Sequence, residues 1–175
     1  MRDVIGLQYQ REAMPVREGV ITGLLGGGVV ALFYLAVDIA RGHPLMTPSV
    51  LGDAFILQRP VSLESPDLTA VLVYTVVHLV AFIGFGVLLA AFARASERSA
   101  LARYGVVQLL VAFAVFFYGV VSIGSEVVRG ILPFAGILVA NALAGAVMST
   151  WLWRRHPRIR VALAHTPLGA SDSLP

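Results

Sequence analysis

The chain has 175 residues, 58% of them apolar and only 13% charged, and all thirteen of its basic residues are arginine, giving a net charge of +3. A single membrane domain fills that length, with no room for a second domain and no repeat of fixed period. Cysteine is absent. That excludes disulfides, a thiolate metal site, a cysteine nucleophile and thioether-linked haem.

The segment 1–18 carries mixed charge with Val4, Ile5, Leu7 and Tyr9 interspersed, a weak amphipathic pattern suited to a membrane surface. Pro15 fits the first turn of a helix, where its missing N–H is harmless. The first apolar run, 19–40, is longer than the core of a secretory signal and reads as a retained anchor. Gly19, Gly23, Gly27 and Ala31 recur along one of its faces, with Gly26 and Gly28 beside them. Lipid removes the hydrophobic drive for helix association, so close approach of small residues replaces it. This stripe is a candidate packing face, either within the molecule or toward a partner subunit.

In the connection 41–67, Thr47-Pro48 reads as an N-cap followed by proline at the first helical position. Val50, Leu51, Ala54, Phe55 and Leu57 then repeat at helical spacing, which predicts a short interfacial helix over 48–57. Arg59-Pro60 stops it, and Ser65-Pro66-Asp67 opens the second run, 68–93. A basic turn from 94 to 103 leads to the third run, 104–125. The connection 126–129 is so tight that it makes the third and fourth runs, the latter 130–153, antiparallel neighbours. Asn141, Gly145 and Ser149 form a second small-residue face, flanked by Ala142 and Ala146.

Each run reaches the roughly 20 residues needed to cross a bilayer, and none shows the polar alternation of a barrel strand. The expected fold is therefore all-α, a four-helix transmembrane bundle with cytoplasmic tails 1–18 and 154–175. Arg2, Arg11, Arg17, Arg94, Arg98, Arg103, Arg154, Arg155, Arg158 and Arg160 fall on one side, against Arg41, Arg59 and Arg129 on the other. The asymmetry places both termini in the cytoplasm and 41–67 outside. Arg154, Arg155, Arg158 and Arg160, next to Trp153, are expected at lipid headgroups rather than on nucleic acid.

Candidate chemistry is sparse. Tyr74, His78, Phe82 and Gly86 share one face of the second run, and that face should point into the bundle. His78 needs a hydrogen-bond partner in hydrocarbon, and Asn141 stands at matching depth, so a structural His78–Asn141 pair is expected. The alternatives for His78 are an axial ligand of haem b, which lacks a second histidine at that level, and a quinone- or proton-linked role. Asp38 and Arg41 are spaced for a partly exposed ion pair. Asp38, His43 and Glu126 offer weak material for a metal site. No HExxH sequence, phosphate loop or catalytic triad is present.

Phe33-Tyr34 with Asp38, Gly42-His43-Pro44-Leu45, Thr47-Pro48, Tyr74-Thr75 with His78, Phe82 and Gly86, and Asn141 ahead of Trp153-Arg154-Arg155-His156-Pro157 resemble a set of small four-span bacterial integral membrane proteins. The resemblance implies a four-helix membrane fold and no particular activity. By elimination, the expected function is non-catalytic: an accessory subunit among other integral membrane subunits of a respiratory or photosynthetic complex in the bacterial inner membrane, with no cofactor of its own. A haem- or quinone-linked electron carrier built on His78 and a small transporter are the alternatives. Transport is weakened by the lack of ionised side chains at mid-span.

Overall fold

The computed structural model describes residues 2–96, 108–115, 118–119, 130 and 133–157, the side chains of 2–15 and of Phe134 excepted. The described residues are mostly helical, without strands. In chain order they form α1 (Arg2–Ala40), α2 (Met46–Leu51), a π-helical turn (Gly52–Leu57), α3 (Leu68–Ser96) and α4 (Phe134–Arg155). Among the described residues, three helical stretches are long and apolar enough to cross a membrane: Val16–Ala40, Leu68–Ser96 and Ala135–Arg155. The expected third span, 104–125, falls mostly outside the described residues. Of it, 108–115 is helical, and Phe113 packs on Phe85 at 4.1 Å and edge-on to Phe82 at 5.4 Å between ring centroids. The connection 126–129 and most of the turn 94–103 also lie outside.

α1 corrects one expectation. It is continuous for 39 residues, so Pro15 sits in its interior rather than in its first turn. At about 1.5 Å per residue the helix is far longer than a bilayer core, and its first part extends beyond the apolar stretch. Its other end is closed by a Schellman motif: Gly42 takes φ 81°, its N–H bonds the Ile39 carbonyl, and the His43 N–H bonds the Asp38 carbonyl. Only glycine reaches that left-handed conformation without a Cβ penalty.

α1 and α3 meet backbone to backbone. A Cβ built on Gly23 would overlap the Phe82 carbonyl and Ile83 Cα, and one on Gly86 would overlap the Gly19 carbonyl and Gly23 N. The glycine stripe of α1 is thus occupied within the molecule, the first of the two roles expected for it. Ala31, expected to continue the stripe, is exposed. The reason is rotational drift: a four-residue step on a helix of 3.6 residues per turn walks off the contact line within a few turns. Gly26 faces α4 instead, against Met148. α1 therefore packs on both α3 and α4.

α2 and the π-turn cap one end of the bundle. Val50, Leu51 and Met46 are buried with Val30, Tyr34, Phe82, Ile137, Ala140 and Ala144, while Ala54 and Phe55 pack at the edge of that cluster. The helix starts at Met46, earlier than the Thr47-Pro48 signal, with Leu45 in a left-handed conformation and no side-chain cap of its own. Gly52 lets the π-turn touch the α3 backbone, because a Cβ there would overlap Ala70. α4 begins after Pro133 rather than at 130, since Pro133 takes an extended conformation as N-cap and its carbonyl accepts from Gly136 and Ile137.

Candidate functional site

Three polar clusters hold the bundle. At the α2 end, Asp38 is 1% exposed, and its carboxylate accepts from the Thr47 backbone N–H at 2.7 Å and the Thr47 hydroxyl at 2.6 Å. An acid of α1 thereby caps α2 from a distance, satisfying an orphan N–H and countering the positive helix end. The aspartate, expected to be partly exposed beside Arg41, is a buried latch. Nearby, Arg59 donates to both Asp53 and Asp67. Asp67 is the N-cap of α3: Oδ1 accepts from Thr69 N–H at 2.7 Å and Ala70 N–H at 3.1 Å, while its own N–H donates to Ser49 Oγ at 2.8 Å. The Ala70 amide, then Thr69 and the Arg59 guanidinium, hold the Asp67 carboxyl below its ordinary value of 3.8.

At the opposite end, Glu18 of α1 accepts from Arg94 of α3 at 3.0 Å, and His156 just beyond α4 approaches it at 3.1 Å. One acid thus ties three helices together. A cavity of about 390 Å³ opens beside it, walled by Arg17, Arg94, Trp151, Arg155 and His156, with Arg155 stacked over the Trp151 ring at 4.7 Å. Arg154 and Arg155 are exposed at the end of α4, as a headgroup role requires. Arg158 and Arg160 lie outside the described residues. The contributions of Arg17, Arg94 and Glu18 come from other helices, which a local reading of the 154–160 cluster misses.

The middle cluster corrects the expected polar pair. His78, 8% exposed, contacts the Gly27 carbonyl through Nε2 at 3.2 Å and the Tyr74 hydroxyl through Nδ1 at 3.4 Å, and stacks between Tyr74 and Phe82. The Gly27 carbonyl can only accept, so Nε2 carries the proton and Nδ1 accepts from Tyr74. Asn141 instead donates to the Ile137 carbonyl of its own helix at 2.8 Å. His78 and Asn141 do not pair. Both imidazole nitrogens face groups of this chain, so a haem iron would have to displace one of those contacts.

Above His78, between α1 and α3 and below α2, lies a second cavity of about 200 Å³, lined by Tyr34, Tyr74, His78, Thr47, Gly28 and Leu32 among others. Tyr34 is 7% exposed, and its hydroxyl has no hydrogen-bond partner among the described residues. Among the described residues no group of three or more histidine, aspartate or glutamate side chains is placed to hold a metal, and Glu126 of the candidate set lies outside them. No family model, no curated protein and no solved structure matches the chain. The site's geometry therefore carries the functional reading alone.

Proposed function

We propose that this chain is a four-span integral membrane protein, its fourth helix completed by 104–125, that works by association as a non-catalytic subunit of a larger membrane assembly. The carrying observation is the distribution of charge. Among the described residues of the spans, Arg17, Glu18, Asp38, Arg94, Arg154 and Arg155 all sit near the ends of the spans, and nothing ionised lies between. A transport path or proton relay places such groups at mid-depth. Asp38, Glu18 and Arg94 join helices to one another, which is a structural use. Because the glycine stripe of α1 is filled by α3, contacts with other subunits fall to the lipid-facing apolar rows, such as Leu72, Val76 and Val80 of α3.

In this reading both termini face the cytoplasm, the Glu18–Arg94 end lies at the inner leaflet, and α2 plugs the outer end. Alkaline phosphatase fused at residue 58 should be active, and fused after residue 160 inactive; the opposite pattern reverses the orientation. Association has its own test. Extraction in mild detergent should yield the chain in fixed stoichiometry with other membrane proteins. A solitary monomer that transports solutes or electrons in liposomes would refute the proposed function.

A further inference from the structure

We propose that the groove between α1 and α4 at the Glu18 end of the bundle binds one anionic phospholipid, its phosphate among Arg17, Arg94 and Arg155 and an acyl chain along the apolar wall beyond them. This site is independent of the subunit reading. Two rows of side chains at four-residue spacing build it, Arg17, Ile21 and Leu25 on α1 and Arg155, Trp151 and Val147 on α4. Each row passes from charge near the end of its span to hydrocarbon deeper within it. The charged ends wall the cavity of about 390 Å³ beside Glu18. The apolar ends wall a second hollow of about 370 Å³, which Ala146, Thr150 and Arg154 complete, and Trp151 borders both.

Charge selects the occupant. Three arginines and one glutamate line the first cavity, and the glutamate is already engaged, one carboxylate oxygen accepting from Arg94 at 3.0 Å and the other meeting His156 at 3.1 Å. Arg17 and Arg155 are exposed and have no carboxylate partner among the described residues. The Arg94 side chain stays 32% exposed despite its ion pair. Stacking over Trp151 occupies the face of the Arg155 guanidinium and leaves its in-plane N–H groups, the fork that matches two phosphate oxygens. Basic pockets between spanning helices at a membrane surface suit anionic headgroups. A zwitterionic headgroup would bring an ammonium to a wall of arginines whose one described carboxylate is already shared. A free phosphate would leave the apolar hollow unfilled, whereas a phospholipid fills both.

Two variants isolate the site. Arg17→Gln removes an exposed cation that joins no ion pair among the described residues, and it should unfold at the temperature of the parent chain. Arg155→Gln removes the guanidinium over Trp151. Arg41→Gln is the control, because it takes the same charge from the other end of α1. The full chain in detergent is titrated with dioleoyl phosphatidylglycerol and, separately, with dioleoyl phosphatidylethanolamine, and native mass spectrometry counts the bound molecules. One phosphatidylglycerol should bind saturably, with phosphatidylethanolamine at least roughly tenfold weaker. Its affinity should fall roughly tenfold in Arg17→Gln and in Arg155→Gln, the loss of one charge-assisted contact each, and stay unchanged in Arg41→Gln. Glycerol phosphate, which has the headgroup chemistry without the tails, should not displace it. Binding that never saturates, equal affinity for the two lipids, unchanged affinity in Arg17→Gln, or an equal loss in Arg41→Gln overturns the proposal. Displacement by glycerol phosphate overturns it in favour of a soluble phosphate ester. If Arg155→Gln does not fold, Arg17→Gln decides it.

Discussion

Replacing Gly23 by leucine should separate α1 from α3 and leave a chain that still enters the membrane but no longer holds its helices together. At this position the Phe82 carbonyl and Ile83 Cα already occupy the space of a Cβ, and both belong to backbone that cannot rotate aside. The helices must move apart, and the dispersion contacts of Phe82 with the core around Val30 and Tyr34 go with them. Over-packing a close interface costs about 1–3 kcal/mol, and a backbone overlap belongs at or above the upper end. Gly84→Leu is the matched control, because a Cβ at Gly84 on α3 meets nothing within 4 Å. Thermal unfolding in detergent should show a large fall for the Gly23 variant and almost none for the control. Equal unfolding temperatures would mean that α1 and α3 do not meet at these glycines. Loss of copurifying proteins without loss of stability would return the stripe to a role in partner binding.

The same contact shows what a sequence can and cannot convey about such a bundle. The apolar runs announce helices because length and hydropathy belong to each segment alone, and three of the four recur in the described structure with shifted ends. The spacing of Tyr74, His78, Phe82 and Gly86 correctly marks a buried face, since a face is also a property of one helix. Which neighbour covers that face is not. His78 and Asn141 fall at matching depth by their positions along the runs, but each residue turns a helix by about 100°, and depth carries no information on the direction a side chain takes. His78 found a main-chain acceptor, which is approachable because Gly27 has no side chain to shield it. Searching only side chains for its partner overlooks that possibility. Pro133 and Gly42, by contrast, are local signals that could have fixed the start of α4 and the end of α1.

Asp38→Ala should release α2 while leaving the spanning helices in place. Thr47 would lose the acceptor for its buried N–H and for its hydroxyl together. Charge-assisted hydrogen bonds contribute about 1.5–3 kcal/mol each, so the loss should approach the upper figure even after relaxation. Asp38→Asn keeps one accepting oxygen and should cost about half as much. The segment Met46–Leu57 would remain tethered by Asp67 to Ser49 and by Arg59 to Asp53, so it should detach first where it meets α1. Hydrogen exchange reads this directly. Amides of 46–51 should exchange much faster in the alanine variant, with those in the middle of α3 unchanged. Protection in 46–51 equal to that of the parent would show that Met46, Val50 and Leu51 hold the plug by apolar packing alone, with the buried carboxylate as a passenger.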